Sequence, residues 1–122
     1  MKKGFLCTLL PLLALSGCGH PEPVSYESLV WVNNYYVEHP AQSLSATAAG
    51  WLFRGAREFE AEIRVGFLVP KPMNSNAATR QAVLERICPA KSAVIWQSLP
   101  SNNKIVINVW TEDRKFKDSK IC

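Results

Sequence analysis

Catalytic equipment is scarce in this chain. Its 122 residues include two histidines, His20 and His39, and neither stands in a pattern with a nucleophile or a metal ligand. There is no glycine-rich phosphate loop, no serine motif with a histidine partner and no Cys-x-x-Cys pair. The common hydrolase, nucleotide-binding and zinc signatures are therefore missing, and the reading is of a protein that is not an enzyme, with no metal, cofactor or small-molecule substrate. Charge of one sign is also thin. The formal +4 becomes +2 if Lys2 and Lys3 leave with a cleaved leader, which is no footprint for nucleic acid. No repeat or low-complexity segment occurs, and the longest apolar run, Gly4 to Leu15, is too short to span a bilayer. What is present is 48% hydrophobic residues, 20% charged residues and aromatics in the form of four Trp, three Tyr and five Phe. That composition belongs to one folded globular domain and excludes a disordered adaptor.

The N-terminus carries the most specific signal. Met1-Lys2-Lys3 is a basic start, the apolar run follows, and Leu15-Ser16-Gly17-Cys18 closes it. A basic start, a short apolar stretch and small residues make a secretory signal over residues 1–17. The ending resembles the bacterial lipobox, which implies that Cys18 becomes the first mature residue and carries covalent lipid, the only attached group expected. Gly19 after it, rather than Asp, favours the outer membrane over the inner one. Residues 18–24 hold two prolines and form a stiff tether reaching at most about 20 Å. The domain, residues 25–122, then faces the periplasm close to its membrane.

Cysteine parity agrees with export. With Cys7 in the signal and Cys18 lipidated, Cys88 and Cys122 remain as an even pair in a compartment that permits disulfides, and they are expected to bond to each other. A metal site or a nucleophilic thiol is the alternative, disfavoured because neither cysteine has a paired cysteine or a histidine at ligand or base spacing.

Periodicity suggests the elements. Ser25 to Glu38 reads as a helix with Ser25 as N-cap and Pro40 beyond its end, although its β-branched and aromatic residues leave a strand open. Leu44 to Phe53 reads as a strand, Arg54 to Arg57 as a turn, and Glu58 to Leu68 as a strand alternating Phe59, Ala61, Ile63, Val65 and Phe67 with charged residues. Asn76 to Cys88 is a capped helix, Lys91 to Leu99 holds a short one, and Ile105 to Thr111 and Lys115 to Cys122 are strands. The expected fold is α+β, an antiparallel sheet of four or five strands with helices over one face, in the order α-β-β-α-(α)-β-β.

Two charged clusters read as solvated surface. Glu58, Glu60 and Glu62 supply the polar face of one strand rather than a calcium or acid–base site. Arg114, Lys115, Lys117 and Lys120, interleaved with Glu112, Asp113 and Asp118, form a charged edge that resists aggregation. The first helix is different, because Leu29, Val30, Trp31, Val32, Tyr35, Tyr36 and Val37 cover more of its circumference than one core stripe needs. Leu29, Trp31, Val32, Tyr35 and Tyr36, with Trp96, are thus candidate partner-binding residues. Packing of both helix sides within the domain is the plainer alternative. The half-apolar strand face of Val106 and Trp110 is another place for a groove.

The helix VLERIC, Pro89, the segment Ile95-Trp96, the strand KIVINVWT, a turn at Asp113 and the closing Cys122 lie in one stretch, Ala82 to Cys122. In this stretch, and in its helix and hairpin upstream, the chain resembles the α/β class of pilotin lipoproteins of type II secretion systems. The residues before Ala82 match in pattern more than in motif. The resemblance implies a lipoprotein that binds the C-terminal amphipathic helix of a secretin subunit and carries it to the outer membrane for ring assembly. Other readings are an accessory scaffold lipoprotein of a different envelope machine, or a periplasmic inhibitor of a hydrolase such as lysozyme.

Overall fold

The structure, a computed structural model, describes residues 23–122. The expected signal segment, Cys18 and nearly all of the expected tether lie outside these residues. Helix α1 (Tyr26–Glu38) begins at Ser25, whose hydroxyl accepts the Ser28 N–H at 3.1 Å and so satisfies one of the donors a helix start leaves unpaired. A short helix α2 (Ala41–Leu44) and a 3-10 turn (Ala46–Ala48) lead to strands β1 (Leu52–Phe59) and β2 (Glu62–Leu68). Helices α3 (Ala77–Ile87) and α4 (Ile95–Ser98) precede strands β3 (Lys104–Trp110) and β4 (Lys117–Ile121). Asn76 caps α3 by accepting the Thr79 N–H at 3.0 Å. The fold is α+β, with a four-stranded sheet in the order β1-β2-β3-β4.

The sheet is mixed, not antiparallel throughout. β1 with β2 and β3 with β4 are antiparallel, whereas the central pair β2 and β3 runs parallel, Ile63 beside Ile105 and Phe67 beside Val109. Side-chain alternation reports which face a residue occupies and says nothing about strand direction. Direction is set here by the crossover through α3 and α4, which returns the chain to the start of β2, as parallel neighbours require.

One face of the sheet is the core. Ile63, Val65 and Phe67 of β2 and Ile105, Ile107 and Val109 of β3 are buried beneath Val32 and Tyr36 of α1 and Leu84 and Ile87 of α3. Burying each such side chain contributes roughly 1.5–3 kcal/mol. Val24, expected in the tether, packs into this core.

The largest departure from the expected pattern lies between Leu44 and Phe59. Of the expected strand over Leu44 to Phe53 only Leu52 and Phe53 lie in β1: Leu44 ends α2, Ala46–Ala48 form the 3-10 turn and the rest is loop, in keeping with the alanine of LSATAA, the strongest helix former. The expected turn at Arg54 to Arg57 is a bulge inside β1, where pairing slips between Phe53 and Ala56. Gly55 takes φ 99° there, and the Asn33 side chain of α1 accepts the Ala56 N–H at 3.1 Å. The reversal falls instead at Glu60 and Ala61, with Glu60 at φ 56°. Glu58, Glu60 and Glu62 consequently sit on β1, in the turn and on β2, rather than along one strand face.

Cys88 and Cys122 form a disulfide with a Cα–Cα distance of 5.5 Å, joining the end of α3 to the last residue of the chain. The charged edge does more than resist aggregation. Arg80 bonds Asp118 at 2.8 Å and Lys120 meets Glu85 at 3.4 Å, so two ion pairs lie beside the disulfide between α3 and β4.

Candidate functional site

The six residues proposed on α1 and near Trp96 do not come together as an open groove. Val32 and Tyr36 are core: Val32 is fully buried, and Tyr36 donates its hydroxyl to the Ile87 carbonyl at 2.7 Å. Burial raises the Tyr36 phenol far above the ordinary range, with the neighbouring Tyr35 adding to the shift. Leu29 is half-buried on the same helix as Asn33, which reaches β1. Tyr35 and Trp96 are half-buried where α1 meets the α4 region. The Trp96 indole N–H donates to the Ala90 carbonyl at 2.9 Å. The Tyr35 phenol is raised by burial and partly offset by a hydrogen bond from the Ala90 backbone, and its ring stacks on His39 at 4.2 Å. His39 is the C-cap of α1. Trp31 alone of the six is exposed, at 39%.

The hollow of this domain lies on the other side of the sheet, which no helix covers. Its register places Arg57, Phe59, Glu62, Arg64, Gly66, Val106, Asn108, Trp110, Lys117 and Ser119 on this face. Between the hairpin end of β1 and the far end of β3 all of these but Glu62 and Val106 line a depression of about 700 Å³, together with Glu58 and Asp118 and with Arg114 at its rim. Aromatic rings form its two ends. Phe59 is 48% exposed and carries the Arg64 guanidinium 3.8 Å above its ring. Trp110 lies across β2 so closely that a Cβ on Gly66 would sit 2.7 Å from its ring, and Arg114 stands 5.5 Å from the indole centre. Glycine at 66 is what lets the indole lie flat, the diagonal reach of an aromatic across neighbouring strands. Leu52 and Ile121, 55% and 56% exposed, add apolar surface at the outer strands.

The loop from Thr111 to Phe116 fixes the Trp110 end. Asp113 accepts from the Thr111 hydroxyl at 2.8 Å and from the Lys115 N–H at 3.0 Å, which hold its carboxyl below the usual range. Arg114 follows in the left-handed region at φ 64°. A second, smaller depression adjoins the first, lined by Arg54, Arg57, Trp110, Glu112 and Arg114 among others.

The face presents aromatic rings that can stack, apolar side chains and guanidinium groups that can pair with carboxylates. Among the described residues no three His, Cys, Asp or Glu side chains gather as a metal site, and no helix is long and apolar enough to cross a membrane. The sequence marks Val106 and Trp110 as a half-apolar strand face. It does not reveal that Phe59 and Arg57 of β1 complete the depression, because the bulge at Gly55 sets which β1 residues share that face. No protein family, curated protein or solved structure matches the chain.

Proposed function

We propose that this protein is a pilotin-like lipoprotein. Cys18 carries the lipid that holds it in the outer membrane with the domain facing the periplasm, and the domain receives the C-terminal amphipathic helix of a type II secretion secretin. The carrying observation is the depression of about 700 Å³ on the helix-free sheet face, with aromatic ends at Phe59 and Trp110. An amphipathic helix docks by setting apolar residues spaced i, i+3, i+4 and i+7 into such a groove, and no catalytic residue is needed. Aromatic and arginine side chains also dominate binding energy in protein interfaces more than other types.

The root of the tether supports the same arrangement. The Val24 N–H donates to the Glu58 carboxylate at 3.3 Å, so the chain enters the fold on the helix-covered side at the hairpin end of β1, across the sheet from the Phe59 end of the depression. From a lipidated Cys18 the intervening residues reach less than about 20 Å. A partner helix seated in the depression is then held close to the leaflet that holds the lipid, which is the task of a targeting adaptor.

Photo-crosslinking in the native cell tests this reading. A crosslinker placed at Ser119, on the helix-free face, should capture the C-terminal segment of a secretin, and one placed at Arg86, on α3, should not. Capture of a different envelope assembly component or a hydrolase from Ser119, with no secretin, would replace the reading with the scaffold or inhibitor alternative.

A further inference from the structure

Charge is distributed unequally between the two sides of the sheet. On the helix-covered side the strand charges are engaged: Asp118 with Arg80, Lys120 with Glu85, and Glu58 with the Val24 N–H. On the open side and its rim stand Arg54, Arg57, Arg64, Lys104, Arg114 and Lys117, against Glu62 and Glu112; Glu58 and Asp118, which bond Val24 and Arg80, also line the depression. The other described residues carry six cations and five carboxylates, so two of the three net positive charges of the described residues lie at this one face. Arg64 has Glu62 at 3.2 Å, while Arg57, Arg114 and Lys117 take part in none of the ion pairs among the described residues.

We propose that this face selects a partner segment bearing carboxylates: an amphipathic helix whose apolar stripe meets Phe59 and Trp110 and whose flanks carry Asp or Glu toward Arg57, Arg114 and Lys117. The inference rests on the adaptor reading only in taking the occupant to be a helix. The cations stand around a concave, partly apolar floor, which concentrates their field where the segment lies. A rod-shaped segment reaches the floor at Asn108 and Ser119 between the two aromatic ends. A flat anionic bilayer meets only the rim. Carboxylates also match guanidinium geometry in two-point contacts, which lends orientation as well as attraction.

The test uses the full-length lipoprotein in non-ionic detergent and three labelled synthetic helices of about five turns. The three share one leucine stripe and differ only in having Glu, Gln or Lys flanks. Fluorescence anisotropy should show the Glu helix binding about tenfold more tightly than the Gln helix, and the Lys helix more weakly than both, as complementary rim charges require. The Glu advantage should shrink as salt shortens the screening length from about 30 Å to about 8 Å. R57E/R114E should reverse the order, the milder R57Q/K117Q should reduce the Glu advantage, and E85K on α3 should leave it unchanged, all with unaltered circular dichroism.

Equal binding of the Glu and Gln helices, or a Glu preference that survives in R57E/R114E, overturns the proposal, and so does the absence of binding by all three. Tighter binding to phosphatidylglycerol vesicles or single-stranded DNA than to the Glu helix, abolished by R57E/R114E, overturns it in favour of those occupants. A secretin C-terminal segment that fails to bind while the Glu helix binds defeats the secretin reading alone. A secretin segment that binds wild type and R57E/R114E equally defeats this inference alone.

Discussion

Tyr36 shows how one side chain serves two elements. The last carbonyls of a helix lack intrahelical partners, and the Ile87 carbonyl at the end of α3 finds its donor in the Tyr36 hydroxyl of α1. Tyr36→Phe keeps the ring and leaves that carbonyl unpaired in the core, so it should cost about 1–3 kcal/mol, read from the urea midpoint. The phenol has a second consequence. Its folded pKa is raised above the ordinary 10.0, so the stability it contributes is complete at neutral pH and is lost as pH rises above that value. The wild type should therefore lose stability in alkali more steeply than Tyr36→Phe. Trp31 sits at the opposite extreme. It is exposed on α1, away from the depression, so Trp31→Ala should shift stability by no more than about 0.5 kcal/mol and leave partner affinity unchanged. A loss of affinity above about 1 kcal/mol would bring α1 into the docking surface.

At the scale of elements, β4 is the part most dependent on cross-links. It is a five-residue edge strand whose burial pattern has no fully buried residue, and it is held by the Cys88–Cys122 bond, the Arg80–Asp118 pair and its ladder to β3. Closing a loop of this length contributes roughly 3–4 kcal/mol in the chain-entropy model. Cys88→Ser with Cys122→Ser should lower stability by about that much, with the β4 amides exchanging first in hydrogen-exchange measurements. Equal protection of β4 in the bonded and unbonded forms would contradict this. The same elements mark what the sequence discloses. Helices α1 and α3 are readable because their caps, Ser25 and Asn76, and their flanking prolines are local signals, and the buried sides of β2 and β3 are readable because alternation is local. The parallel pairing of β2 with β3 and the bulge at Gly55 are not readable, since both are settled by contacts with distant residues: the crossover through α3, and Asn33 bonding the Ala56 N–H. The depression inherits that opacity. Trp110 and Val106 declare themselves in one strand, but Phe59, Arg57 and Gly66 join them only when the sheet is assembled.

The molecule as a whole is two-sided. Helices, disulfide and ion pairs close one side of the sheet, and the other presents aromatic rings under an excess of cations. The tether root at Val24 and the Phe59 end of the depression lie at the same end of β1 on opposite faces of the sheet, so a lipid on Cys18 and a helix on the open face would be separated by little more than the sheet and the tether. The central claim is that anchoring and binding act together to move a partner to the outer membrane. Membrane fractionation of cells carrying Cys18→Ser, in which the domain is still exported and folded, tests it directly. The account predicts that secretin multimers in the outer membrane fall to the level of cells lacking the protein, because the adaptor binds the secretin but no longer has a lipid to carry it. Secretin multimers in the outer membrane at the wild-type level in that variant would contradict the account.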